Sequence, residues 1–578
     1  MDIKTISQDL SVSPQVRPDD IALAVAQGFK SIIINRPDGE DSNQPSHAAI
    51  EEAGKAHGLE VRYVPVVPGN LTDADVSAFR KALRELPAPA LAYCRTGTRS
   101  VTLWALSQAG HLSTEAILGT ASGAGYDLAA LTPRLETGAH SAANDSRAVV
   151  THDIVIIGGG AAGLATAGSL LKRRKGLDIA IVEPSTEHYY QPGWTLVGGG
   201  VFSQKRTEKQ MARLMPKGAQ WIRSACAGFD PEQSEIILED GERIGYKTLV
   251  VAPGLKLDWD QIDGLRETLG KNGVTSNYMR GLGKYTWELV QNMTSGKALF
   301  TQPPMPIKCA GAPQKAMYLS CSAWRKSGAL SSIDVSFHNA GGVLFGVKEY
   351  VPALMKYVDR YGIDLKFKER LIAVDGPAKR AVFEMTDEAG LTNTVTREFD
   401  MLHVCPPQVA PDFVASSPLA NEAGWVDVDQ NTLQHVRYQN VFSVGDAAGT
   451  PNAKTAAAIR KQAPVAAVNI LRTLDSRAPN AAYNGYGSCP LTVERGRVVL
   501  AEFSYGGKLD PSFPNWLLNG TRPTLKGWIA KAVLMPTLYF DFMLKGREWL
   551  ANPKIIPNVS DAKIQDRSAE SDPTKRAA

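Results

Sequence analysis

Two cysteines sit in surroundings that would activate a thiol. Cys94 lies within Tyr93-Cys94-Arg95-Thr96-Gly97-Thr98-Arg99-Ser100, between the strand-like run Ala90–Tyr93 and a predicted helix over 101–109. A thiol at that junction faces backbone N–H groups and the positive end of a helix, and Arg95 and Arg99 add charge. All of these favour thiolate over thiol. The same cradle can hold an oxyanion or a persulfide. Cys309 follows the proline-stiffened stretch Pro303-Pro304-Met305-Pro306, adjoins Lys308 and precedes a predicted helix over 315–326. That helix start again favours thiolate. Cys321, inside the helix, reads as packing. Cys226 and Cys489 have no supporting neighbours and read as structural.

The elements around Cys309 are set by a glycine turn. The apolar run 154–157 enters Gly158-Gly159-Gly160-Ala161-Ala162-Gly163, an Ala/Leu-rich helix leaves it, and a second apolar run, Ile179–Val182, ends at Glu183. Gly158 makes the turn, Gly160 admits a pyrophosphate with Ala161 beside it in the cofactor site, Gly163 lets the helix pack on the strand, and Glu183 can accept from a ribose hydroxyl. The predicted site is therefore one for a dinucleotide. Further on, the strand 248–251 ends in Ala252-Pro253-Gly254, and the strand 441–444 ends in Gly445-Asp446.

That order resembles the flavoproteins with two dinucleotide-binding domains, in which the late aspartate sits near the flavin ribityl chain and phosphate. Their second fingerprint, for NAD(P)H, is missing. The strand taken as its counterpart, 333–337, runs into His338-Asn339-Ala340-Gly341-Gly342, which does not give the pattern. The expected cofactor is FAD, reduced by something other than a nicotinamide.

Residues 151–550 resemble the sulfide:quinone oxidoreductases, most closely the branch with the mitochondrial enzymes. The motifs are 188–198 (His-Tyr-Tyr-Gln-Pro-Gly-Trp-Thr-Leu-Val-Gly, with Gln191), 308–315, 401–407, 454–458 (with Lys454) and 486–491. The resemblance implies that Cys309 is one of two redox cysteines beside FAD, taking sulfide as a persulfide, with a membrane quinone on the opposite flavin face. It also implies a second redox cysteine directly after the late Gly-Asp, where this chain has Ala447-Ala448. Three readings follow: Cys405, before Pro406-Pro407, replaces it; Cys309 works with an external thiol or persulfide; or the substrate is another thiol or persulfide.

The Cys94 loop resembles the single-domain rhodanese pattern. Phosphatases of the Cys-x5-Arg type need arginine at the position held by Ser100, one beyond Arg99. Residues 1–115 as a whole resemble the phosphatase-like family that also occurs fused to metallo-β-lactamase-type domains. Sulfur transfer through Cys94 ranks ahead of phosphatase chemistry, and Asp73 and Asp75 read as capping of the helix after Thr72 rather than as a general acid. A sulfurtransferase could unload persulfide from Cys309. The rival readings are an NAD(P)H-dependent flavin reductase, with a tyrosine-phosphatase-like N-terminal domain, and a non-catalytic sulfide or redox sensor.

The 578 residues exceed a single core, so several α/β domains are expected. The divisions read as a thiol domain at 1–130, a linker at 131–150, a Rossmann-like flavoprotein at 151–510, C-terminal helices at 511–560 and a disordered tail at 561–578. A net charge of +4 gives no basis for a nucleic-acid partner. The six cysteines include no CxxC pair, so no metal site is expected. No apolar run of about 18 residues suggests a membrane span. The segment 527–550 is apolar with Lys526, Lys531, Lys545 and Arg547 in or beside it, which suits an amphipathic helix pair lying in a membrane interface. The expected location is cytoplasmic, peripheral on the inner membrane. The oligomeric state is open.

Overall fold

The computed structural model describes residues 1–556 except 68, 70, 110–111, 142–148 and 388, so the predicted tail and the middle of the predicted linker lie outside the described residues. The chain divides into two compact units, Met1–Val149 with Leu238–Arg243, and the remainder.

In the first unit a five-stranded sheet runs Lys4–Thr5, Leu10–Ser13, Ala90–Tyr93, Ser31–Ile34, Glu60–Tyr63, parallel except at the first pair. Ala90–Tyr93 lies in the middle of this sheet and is fully buried, so its C-terminal end places Cys94 at the crevice where open α/β sheets bind ligands. The helix that follows is Thr98–Ser107 and begins after Gly97 at φ 87°. Thr72 and Asp75 cap the earlier helix Asp73–Glu85 reciprocally: the Asp75 carboxylate accepts from the Thr72 N–H at 2.8 Å, and the Thr72 hydroxyl accepts from the Asp75 N–H at 3.3 Å. The Asp73 side chain lies outside the described residues. The first part of the predicted linker is instead a helix, Thr132–Ser141, anchored in the core by Leu135. One buried leucine in a polar stretch gives too weak a period to read as a helix.

The second unit contains two parallel sheets. In the first, Val150–Ile157 lies between Ile179–Val182 and Arg243–Val251, with Val441–Ser443 beyond. In the second, Gly296–Gln302 lies between Ile333–Asn339 and Met401–His403, all parallel. Gly296–Gln302 is its central strand, and the helix Ala312–Ser327 follows as the crossover to Ile333–Asn339. The turn equivalent to the glycine fingerprint is thus the Pro303–Gly311 stretch with Cys309, not the stretch after 333–337. The counterpart strand is Gly296–Gln302 rather than 333–337, and the turn after it is proline-rich rather than glycine-rich. The loop after Ile333–Asn339 is filled by its own side chains: Leu344, Phe345 and Val347 are buried against Tyr350 and Phe503.

The hairpin Gly487–Glu494 and Arg497–Phe503 then packs on the Ala312–Ser327 helix, pairing Cys489 with Ala501. The C-terminal segment is one irregular helix rather than a pair. It runs Leu525–Ile529, Ala530–Leu534, Met535–Thr537 and Leu538–Phe542, with π-type turns at the second and fourth pieces. Among the described residues no helix is long and apolar enough to cross a membrane.

Candidate active site

A cavity of about 460 Å³ opens at the C-terminal ends of both parallel sheets of the second unit. Its lining includes Gly160, Ala161, Glu183, Gln191, Ala252 and Gly254, and also Cys309, Asp446 and Lys454. Gly158, Gly163 and Gly445 sit just behind them and shape the backbone. A Cβ on Gly163 would lie 1.8 Å from the Gly158 carbonyl, and one on Gly158, at φ +98°, would lie 2.5 Å from the Ala252 carbonyl. Gly160, in contrast, has no atom within 4 Å of its missing Cβ, which leaves an open cradle at the first turn of Ala161–Arg173. Helix N-termini of this kind favour phosphate. Glu183 is oriented by two backbone donors, the Gly159 N–H at 2.8 Å and the Ser185 N–H at 2.7 Å, with lone pairs left for a ribose. Gly445, at φ +83°, lets its strand end approach Ala162. These residues fit FAD. Gly163→Val is expected to yield protein lacking bound flavin, with FAD affinity at least about 100-fold lower because two backbone segments must separate; flavin absorbance of the purified protein measures it.

Beside this cradle lies a pair of thiols. Cys309 adopts φ +52°, a strained conformation for a non-glycine residue. Its N–H is tied to the Lys454 carbonyl at 2.9 Å, and the Lys308 N–H to the Gln408 side chain at 2.7 Å. The Cys309 sulfur lies 3.5 Å from the sulfur of Cys489, and Lys315 Nζ donates to Cys309 at 2.9 Å and reaches Cys489 at 3.8 Å. Both cysteines are free thiols here. The Cys489 S–H donates to Cys309, and with the Lys315 ammonium this holds Cys309 well below the usual thiol range and Cys489 well above it. Burial pulls the Lys315 ammonium down, but the facing thiols outweigh it and its pKa is raised.

The partner of Cys309 is thus Cys489, which the sequence reading classed as structural. Cys405 is not in that place. It is fully buried, its thiol is pushed up to about 12 by burial, and its polar contacts include Tyr278, the Pro406 carbonyl and Gln408. Ala447 and Ala448 are also fully buried, as packing. The usable signal for Cys489 was the 486–491 motif, in which the cysteine stood among the residues carrying the family resemblance.

Three further lysines face the cavity. Lys308 reaches the Gln191 side chain. Lys454 donates to the carbonyls of Asp446 and Ala448 at 2.6 and 3.0 Å, and burial lowers it to about 8. Burial raises the Asp446 carboxyl, against the pull of Lys454 and Lys308. Lys531, from the C-terminal helix, donates to the Pro192 carbonyl at 2.9 Å, and burial and Lys315 bring it down to about 7. The same helix seats Tyr539 on His188, hydroxyl to Nε2 at 2.8 Å.

In the first unit Cys94 is fully buried, Arg99 is bound by Glu40, and Arg95 is exposed with Asp41 at 3.9 Å. Ser100 turns its hydroxyl to Asn35 at 2.9 Å.

Comparison with known proteins agrees with this geometry. The pyridine nucleotide-disulphide oxidoreductase family matches residues 152–466, and the phosphatase-like domain of the beta-lactamase hydrolase-like protein matches residues 2–111. The mitochondrial sulfide:quinone oxidoreductase of Dictyostelium discoideum is 42% identical over 70% of this chain and 90% of its own. A beta-lactamase hydrolase-like protein of Xylella fastidiosa is 35% identical over 22% of this chain, but this chain spans only 30% of it. The crystal structure of the sulfide:quinone oxidoreductase of Aquifex aeolicus shares the fold, with a TM-score of 0.58 at 19% identity over 71% of this chain and 98% of that one. The chain belongs to the FAD-dependent sulfide:quinone oxidoreductase family, with a phosphatase-like domain at its N-terminus.

Proposed function

We propose that the second unit oxidises sulfide at the Cys309–Cys489 pair and delivers the electrons to a membrane quinone, and that Cys94 of the first unit receives the sulfane sulfur. The observation that carries this reading is the 3.5 Å approach of Cys309 to Cys489 beside Lys315. With the pair oxidised, HS⁻ attacks Cys489; the disulfide breaks, a persulfide forms on Cys489, and Cys309 leaves as a thiolate beside Lys315. Cys309 is the better leaving sulfur because Lys315 lies nearer to it and favours its thiolate. This assignment moves the persulfide from Cys309, as the family resemblance suggested, to Cys489. Transfer of the sulfane sulfur to an acceptor thiolate frees Cys489 to close the disulfide again. FAD, when bound, supplies the two-electron acceptor between the thiol pair and quinone.

A second cysteine in contact with Cys309 supports the catalytic reading over that of a non-catalytic sensor. A nicotinamide donor is disfavoured because the turn that would cradle its phosphates carries Cys309. The reading is tested by steady-state reduction of a short-chain quinone. Sulfide should support it and NADH should not; turnover with NADH and none with sulfide would reverse the assignment. For the first unit, Cys94→Ser should leave quinone reduction intact with excess cyanide as acceptor and slow the formation of sulfane-sulfur products on thiol acceptors. Unchanged products would remove Cys94 from the route.

Membrane association is supported by the outer face of the C-terminal helix, where Leu525, Ile529 and Val533 are 52%, 52% and 60% exposed, beside Trp516 at 83%. Such a face beside Lys526 and Arg522 suits seating in a bilayer interface. Replacing Leu525, Ile529 and Val533 together by serine should cut vesicle co-sedimentation about tenfold or more and leave activity with a water-soluble quinone in place.

A further inference from the structure

The hairpin that carries Cys489 has a second face. Side chains alternate along a strand, so Ser488 and its cross-strand partner Glu502 point away from the face that holds Cys489 and Ala501. Ser488, Leu500 and Glu502 line the cavity, together with Phe513 and with Leu534 and Leu538 of the C-terminal helix. Ser488 and Glu502, at 6% and 5% exposed, are thus polar groups buried on an apolar wall. The Ser488 hydroxyl has no hydrogen-bond partner. Glu502 Oε1 accepts from the Tyr486 hydroxyl at 2.6 Å and from the Ser512 N–H at 3.2 Å, and among the described residues no donor reaches Oε2. Of the other polar groups around this carboxyl, Tyr350 is bonded to the Glu502 backbone and Lys461 to the Leu550 carbonyl. A buried hydroxyl and a carboxyl oxygen, both without partners and directly opposite each other across two strands, mark a place where a ligand supplies the missing polar atom.

We propose that Glu502 is the acid that protonates the quinone, with the Ser488 hydroxyl holding the same quinone oxygen and Tyr486 fixing the carboxyl so that Oε2 faces it. The proposal rests on the quinone reading above. Quinol formation consumes two electrons and two protons. The electrons and one proton come with the reduced flavin. The second proton is that of Glu502 in its acid form: the carboxyl O–H bond breaks, an O–H bond forms on the quinone oxygen, and the carboxylate left behind takes a proton from water before the next turnover. A quinone ring lying on a carboxyl excludes water and so favours the acid over the carboxylate. One hairpin would then serve both half-reactions, with the thiol chemistry on the Cys489 face and proton delivery on the Glu502 face.

The test uses the full chain with its flavin, reduced anaerobically by one equivalent of dithionite so that the thiol pair takes no part. Reoxidation is followed by stopped flow with a short-chain quinone and, separately, with ferricyanide, which takes single electrons and no proton. Glu502→Gln should slow reoxidation by quinone at least about 100-fold and leave reoxidation by ferricyanide at the wild-type rate. Glu502→Asp should recover part of the quinone rate. Ser488→Ala removes a hydroxyl that has no partner, and should raise the half-saturating quinone concentration about three- to tenfold with little change in the limiting rate. Equal quinone rates in Glu502→Gln and wild type would overturn the proposal. So would a parallel loss with ferricyanide, since a damaged fold would then explain the effect. Should Glu502→Gln fail to hold flavin, an unchanged half-saturating concentration in Ser488→Ala would overturn it instead. A wild-type flavin that ferricyanide reoxidises and quinone does not would reject the quinone reading itself.

Discussion

Cys489→Ser is expected to lower sulfide-dependent flavin reduction at least about 1000-fold, with FAD still bound and the fold intact. Serine is nearly isosteric with cysteine, and Cys489 is 2% exposed in a regular hairpin strand, so little repacking is required. What is lost is the sulfur 3.5 Å from Cys309, and with it the disulfide that sulfide opens. Anaerobic stopped-flow spectroscopy at the flavin absorbance measures the rate. Cys405→Ser is the contrasting variant and should stay within about threefold of wild type, because Cys405 bonds to Tyr278, Pro406 and Gln408 rather than to either sulfur of the reacting pair. The reverse ranking would return Cys405 to the role first considered for it.

Lys315→Met is expected to reduce the same rate about 10- to 100-fold near neutral pH and to move its acidic limb upward. Three partners hold the Cys309 pKa low, the Cys489 S–H first, then the Lys315 ammonium and then Lys531. Removing the ammonium leaves burial to act more freely, and burial disfavours thiolate. The Cys309 pKa therefore rises, and the thiolate fraction falls at every pH below the new value. Activity should recover as pH rises toward the ordinary thiol range, where Cys309 ionises without help. A pH–rate profile of flavin reduction shows the shift; a uniform loss at all pH values would mean that Lys315 acts only through packing.

How much of this was legible depended on distance along the chain. The FAD cradle was readable because Gly158, Gly160, Gly163 and Glu183 lie within one strand–turn–helix–strand unit, where each residue type answers to a local constraint. The Cys94 loop was readable for the same reason. Cys489 was not, because it joins Cys309 across 180 residues and sits in a strand with no charged neighbour in sequence. Lys315 was noted as the start of a helix, but only the fold shows that the first turn of Ala312–Ser327 turns this side chain back onto Cys309. The C-terminal segment was read as two helices because Pro536 and the wide π-type turns shift its apolar face away from a 3.6-residue period.

The central claim is that sulfide, acting through Cys309 and Cys489, reduces a flavin that a quinone reoxidises. Anaerobic titration of the purified flavoprotein tests it most directly. The account predicts that sulfide bleaches the flavin, that a short-chain quinone added afterwards restores its absorbance, and that Cys489→Ser prevents the first step. A flavin bleached by NADH and left oxidised by sulfide would contradict it.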